Sequence, residues 1–177
     1  MLARLLQTTA ALLLTLTAAA QPRQAVLNSP IATCTPYRPL QNPSFEDGIG
    51  PSFPPWVVNT TSTHVRFGAI TGTAHSGERS VLITTGAGRS MVALKQRVDG
   101  EERDYRFAAW IRICGECKIA WDVGGAAVVL SDEERGEWRR VEGRVSGRPI
   151  DAVRMVATCE GEAEVEIDDV LLEGLCR

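Results

Sequence analysis

The sequence predicts an all-β sandwich, and three observations carry that expectation. Short apolar or alternating segments recur along the chain with turn residues between them. No stretch holds a helical period. Several segments alternate apolar and polar residues strictly, which assigns each side chain to one of two faces.

The segments follow in order. Residues 21–39 contain prolines and have no period, so they read as an extended lead-in to a domain at 40–177. Trp56–Asn59 and Thr63–Ile70 are the first strands. Ser80–Thr85 runs into Gly86-Ala87-Gly88, and Ser90–Val98 into Asp99-Gly100. Asp104–Ile113 precedes Gly115-Glu116, which has the length of a two-residue hairpin turn. Lys118–Val123 and Ala126–Leu130 flank Gly124-Gly125. Residues 131–135 suit a single helical turn. Glu137–Ser146 meets Ser146-Gly147-Arg148-Pro149, Ala152–Thr158 meets Glu160-Gly161, and Ala163–Leu172 closes the series.

Alternation places Tyr105, Phe107, Ala109, Ile111 and Ile113 on a core face, with Arg106, Ala108, Trp110 and Arg112 opposite. Ile119, Trp121 and Val123 fall together, so Trp121 belongs to the core. With Val141 and Val145 inward, Trp138, Arg140, Glu142 and Arg144 face outward. Trp138 starts its strand and is also placed to cap the rim of the core.

The N-terminus reads as a targeting segment. Arg4 is followed by an apolar run from Leu5 to Leu16, and Ala18-Ala19-Ala20 offers small residues for cleavage. The run is short for a bilayer span. Removing residues 1–20 of 177 leaves 157, enough for one domain with a real core. The net charge moves from −3 to −4 with the loss of Arg4. No basic block is present, which argues against nucleic acid. The expected location is secreted and extracellular, without a membrane partner.

The cysteines fit an oxidising compartment. They are Cys34, Cys114, Cys117, Cys159 and Cys176, an odd number, so at least one is free, intermolecular or bonded to something else. Cys34 and Cys176 lie near the two ends and are suited to staple them. Cys114 and Cys117 are spaced to close a small loop, or one of them to bond Cys159; spacing leaves the pairing open. Zinc at Cys114-x-x-Cys117 lacks two further ligands. Asn59-Thr60-Thr61 is an N-glycosylation sequon, so a glycoprotein is expected at Asn59.

Three dispersed pieces carry a family resemblance. The first is Asn42-Pro43-Ser44-Phe45-Glu46-Asp47-Gly48, followed by Pro55-Trp56. The second is Thr73-Ala74-His75-Ser76-Gly77, opening into Ser80-Val81-Leu82-Ile83. The third is Ile167-Asp168-Asp169-Val170-Leu171-Leu172. In order and spacing they resemble the CenC-like carbohydrate-binding modules, over roughly residues 40–173. The resemblance implies a jelly-roll β-sandwich of two antiparallel sheets, of the galactose-binding-like type, that binds sugars without cleaving them. It also implies a structural calcium site that pins the N-terminal strand to the last one. Glu46, Asp168 and the turn at 75–78 stand at its ligand positions. The competing role for the two carboxylates is to accept hydrogen bonds from backbone amides. His75 is expected to pack in its turn.

Sugar binding needs an aromatic face for the C–H side of a pyranose and forked polar groups for its hydroxyls. Trp110 between Arg106 and Arg112 has that chemistry, joined by Trp138, Arg140 and Arg144 if their strand lies alongside. Trp56 and Tyr37 are loop alternatives. Burial of Trp110 beneath a loop is the competing expectation. Catalysis is not expected. No pair of carboxylates is singled out as in a glycosidase, and neither His64 nor His75 has a Gly-x-Ser-x-Gly motif nearby.

The expected function is therefore a secreted, non-catalytic protein binding a polysaccharide or glycan. Aromatic content is low at 6%, and the outer face carries arginines where glucan binders carry amides, so either the ligand is acidic or the face has lost sugar binding. The alternatives are a secreted interaction or effector-like protein that uses its unpaired cysteine toward a protein partner, and an accessory protein that binds a small molecule.

Overall fold

A computed structural model describes residues 35–130 and 136–176. The signal peptide expected at 1–20, most of the lead-in, Cys34 and the helical turn expected at 131–135 lie outside the described residues. The described elements are all strands: β1 (Val57–Thr60), β2 (Val65–Thr71), β3 (Arg79–Thr85), β4 (Arg89–Cys114), β5 (Cys117–Val123), β6 (Ala126–Leu130), β7 (Arg139–Glu160) and β8 (Ala163–Gly174). Every pairing among them is antiparallel.

The hydrogen-bonded order is β2-β3-β8-β4-β7-β5-β6, with β1 also on β4. β4 and β7 belong to both layers of the sandwich. Residues 89–97 of β4 pair with β1 and with 152–160 of β7, which continues to β5 and β6. Residues 105–114 of β4 pair with β8, and 105–111 also with 139–145 of β7. Phe107 of one layer meets Trp121 of the other with ring centroids 5.0 Å apart, in a core where both are fully buried. Each such side chain contributes about 1.5–3 kcal/mol by leaving water.

This corrects two sequence expectations. Asp99-Gly100 and Ser146–Pro149 do not end strands. They lie inside β4 and β7, where the register shifts three times between Arg97 and Tyr105. Extra residues at such shifts twist and bend a strand, so the chain changes layer without leaving the ladder. Gly115-Glu116 does not close a hairpin either. It carries the chain from β4 beside β8 to β5 beside β7. Gly115 has φ +109°, and a Cβ there would lie 2.6 Å from that of Ala163, so this crossing needs glycine.

The crossing also decides the cysteine pairing. Cys117 lies directly opposite Cys159 on β7, with Cα atoms 4.1 Å apart, and the two form a disulfide. Cys114, one layer away, is exposed and free. Cys176 is disulfide-bonded.

The core face of β4 holds Tyr105, Phe107, Ala109, Ile111 and Ile113, all buried, as alternation predicts. Trp56 is also core. It is 5% exposed, packs on Phe45 at 5.4 Å, and donates its indole N–H to the carbonyl of Asn42. That removes it from the loop candidates for sugar stacking.

Candidate functional site

The site lies on the outer face of the layer built from β8, β4 and β7, and the register sets its rows. Trp110 stands between Asp168 and Arg140, Ala108 between Leu171 and Glu142, and Arg106 between Glu173 and Arg144. Arg112 lies beside Glu166.

A bulge breaks the alternation of β8 here. Ala108 pairs with Leu171 and Trp110 with Asp168, so one residue of β4 faces two of β8. Asp169 takes the left-handed conformation, φ 46°, that the extra residue requires. The N–H of Val170 then leaves the ladder and donates to the carbonyl of Pro43 at 2.9 Å. As a result both aspartates reach the same neighbouring turn. Asp168 accepts from the amide of Ser76 at 3.0 Å and from that of Asp169 at 2.7 Å. Asp169 takes Nδ1 of His75 at 2.9 Å and the hydroxyl of Ser76 at 2.8 Å.

Glu46 grips the other side of the turn, accepting from the amides of Glu78 at 3.0 Å and Arg79 at 3.2 Å. Gly77, φ +63°, leaves no Cβ where one would fall 2.2 Å from the Glu46 carboxylate. The three signature pieces thus meet in one clasp. Its carboxylates bind backbone amides, the competing role considered for Glu46 and Asp168. Burial pushes the Asp168 carboxyl up to about 6, opposed by the amides it accepts.

A hard divalent cation is compatible with the donor chemistry. Glu46 and Asp168 are oxygen donors on two sides of one turn, and among the described residues no lysine or arginine pairs with Asp168. Among the described residues no cluster of three His, Cys, Asp or Glu groups is formed for a metal, so backbone carbonyls would have to supply most of the shell.

The outward stripe is split by its partners. His75 stacks flat on Trp110, with centroids 3.8 Å apart and planes 16° apart, and meets Trp138 edge-on at 5.8 Å. The loop burial weighed against Trp110 is therefore present on one face of the indole, which stays partly exposed. Arg112 binds Glu166 and lies 5.4 Å over Trp138. Arg106 binds Glu173 at 2.9 Å, and Arg38 binds the other oxygen of the same carboxylate at 3.0 Å. Arg140 pairs with Glu142 at 3.1 Å in a solvent-exposed contact.

Of the stripe, Trp110 and Arg140 line a pocket of about 310 Å³ on this face. Ala108 lies in it where a larger residue would fill it. Leu40, Pro43 and Ser44 border it from the N-terminal segment, Val170 to Leu172 from β8, and Arg38 and Asp169 add polar groups. Arg106, Arg112 and Trp138 do not line it. Arg38 carried no signal in the sequence, because its position depends on Tyr37 bridging to Gly174. Asp169 was visible in the third signature piece, but its outward aim follows from the bulge. Tyr37 is occupied. Its hydroxyl donates to the carbonyl of Asp99, and Arg103 lies 4.9 Å over its ring. Asn59 is exposed at the outer side of β1.

No family model matches the chain, and no curated protein matches it. Solved structures do. TmCBM61, in complex with β-1,4-galactotriose, is 24% identical, with a TM-score of 0.58 over 78% of this chain and 99% of its own. The family 11 carbohydrate-binding module of Clostridium thermocellum, in complex with a β-1,3-1,4-mixed-linked tetrasaccharide, is 14% identical, with a TM-score of 0.55 over 82% of this chain and 99% of its own. The enzymatically active domain of tailspike protein 4 of bacteriophage CBA120 reaches a TM-score of 0.60 at 10% identity, but this chain covers only 21% of it. The likeness is one of fold, and the fold is the β-sandwich found in carbohydrate-binding modules.

Proposed function

We propose that this chain is a non-catalytic glycan-binding protein whose ligand enters the pocket beside Trp110. The carrying observation is the pocket itself, where a partly exposed indole, the small residue Ala108 and two guanidinium groups border one cavity. A pyranose ring would lie against the indole and use Arg38 and Arg140 for its hydroxyls. The sandwich it shares with carbohydrate-binding modules and the CenC-like signature support this reading. Arg106, Arg112 and Trp138 serve as a rim that orients the pocket wall.

A structural calcium ion on Glu46 and Asp168 belongs to the same proposal, as does secretion with a glycan on Asn59. The Cys117–Cys159 disulfide supports an oxidising compartment. Affinity electrophoresis through gels containing soluble polysaccharides tests the main claim. Retardation by at least one glycan is expected, lost in Trp110→Ala at a temperature where that variant is still folded. Unretarded migration through every glycan sinks it. A second reading rests on exposed Cys114, which suits a disulfide to another secreted protein. It requires a reducible adduct on a non-reducing gel that Cys114→Ser abolishes.

A further inference from the structure

Arginine is disproportionate around the pocket, and its pairing is incomplete. Arg106 and Arg144 lie directly opposite each other on β4 and β7. Like charges at opposed positions destabilise a sheet unless an anion lies between or beside them. Glu173 serves Arg106, but it also serves Arg38, so one carboxylate carries two guanidinium groups. Arg144 is exposed and has no ion pair among the described residues. Arg140 has Glu142, with side chains 41% and 60% exposed. An ion pair that open contributes little, and another carboxylate displaces it at small cost. The other acid at the pocket, Asp169, is already engaged by His75 and Ser76.

Two guanidinium groups, Arg38 and Arg140, thus line the pocket with one carboxylate, Asp169, while the partners Glu173 and Glu142 lie outside the lining. The charged groups of the lining are therefore positive in sum, in a chain whose net charge is −3. Guanidinium is also the group whose planar fork matches a carboxylate with two parallel hydrogen bonds. Neutral sugars need no such charge, because amides satisfy hydroxyls equally well.

We propose that the pocket selects a carboxylated sugar, with the pyranose against Trp110 and its carboxylate held by Arg140 and Arg38. This rests on the glycan-binding reading above and narrows its ligand class. A uronic acid within a polysaccharide and a terminal sialic acid share this chemistry, and the test separates them.

Affinity electrophoresis compares polygalacturonate with the same polymer after reduction of its carboxyl groups to neutral galactan, and titration calorimetry adds sialyllactose. Binding of polygalacturonate about tenfold or more tighter than its reduced form is expected, weakened by a similar factor in Arg140→Gln and in Arg38→Gln. Sialyllactose binding with the same arginine dependence supports the proposal and assigns the carboxylate to a terminal sugar. Equal binding of the acidic and reduced polymers, lost in Trp110→Ala, overturns the acidic ligand while leaving glycan binding intact. Binding of dextran sulfate as tight as polygalacturonate, unaffected by Trp110→Ala, overturns it as charge attraction alone. No binding to any glycan overturns both.

Discussion

The imidazole of His75 lies flat on the indole of Trp110, 3.8 Å between centroids, and Asp169 holds that imidazole through Nδ1 at 2.9 Å. The turn of the clasp therefore backs the indole and the carboxylate, Trp110 and Asp169, that line the pocket. Fold signature and candidate site, which look unrelated along the sequence, meet at this ring pair. Replacing His75 with alanine should uncover one face of Trp110. The expected outcome is a red shift in tryptophan emission, accessible to acrylamide quenching, and a loss of about 1 kcal/mol of stability. Trp56 and Trp121 are buried and contribute a constant background. An unchanged quenching profile would show that the stack is not maintained in solution.

Asp168 gives a pH dependence with a defined sign. Its carboxyl is raised from 3.8 to about 6 in the folded protein, so between about pH 4 and pH 6 the folded state holds a proton that the unfolded chain has released. Stability from this group is complete below about pH 4 and falls as pH rises to 6, by up to about 3 kcal/mol. Asp168→Asn removes the dependence. Measured in chelator, the variant should gain in melting temperature relative to the parent as pH rises through this window. A constant difference across the window contradicts the assigned burial cost.

The proposed calcium ion would reverse that comparison. An ion on Glu46 and Asp168 binds the ionised carboxylate and offsets the cost of burying it. Adding calcium at neutral pH is therefore expected to raise the melting temperature of the parent and not that of Asp168→Asn or Glu46→Gln. If chelator and calcium give the same curve for the parent, the carboxylates act only as acceptors for the amides of residues 76, 78 and 79.

The core was legible because alternation is a local property. Phe107, Ile111 and Trp121 declare their side by their neighbours alone, and all are buried. The same rule placed Trp110, Arg106 and Arg112 outward together. It did not say which of them shares a cavity, because that depends on residues far apart in the chain. Glu173 and Glu166 draw Arg106 and Arg112 aside, while Arg38 arrives from the N-terminal segment. The bulge at Asp169 was equally hidden. A period-two pattern assumes one residue per step, and here β8 spends two against one of β4. Gly115-Glu116 misled for a related reason. Its composition suits a hairpin, but a two-residue link can also change layers, and only the partners of Cys114 and Cys117 distinguish the cases.

That change of layer sets the thiol chemistry. Cys117 and Cys159 are 42 residues apart in sequence, so their bond removes about 4 kcal/mol of chain entropy from the unfolded state in the loop-closure description. Both sulfurs are buried, whereas Cys114 is exposed. A maleimide added to the native protein should label Cys114 alone among Cys114, Cys117 and Cys159, as read by peptide mass mapping. The double variant Cys117→Ser/Cys159→Ser should unfold at markedly lower denaturant, with a loss approaching that figure, while Cys114→Ser is neutral. Labelling of Cys117 without added reductant would mean that the Cys117–Cys159 disulfide is not formed in the native protein, and the opposed placement of the two residues on β5 and β7 would then fail.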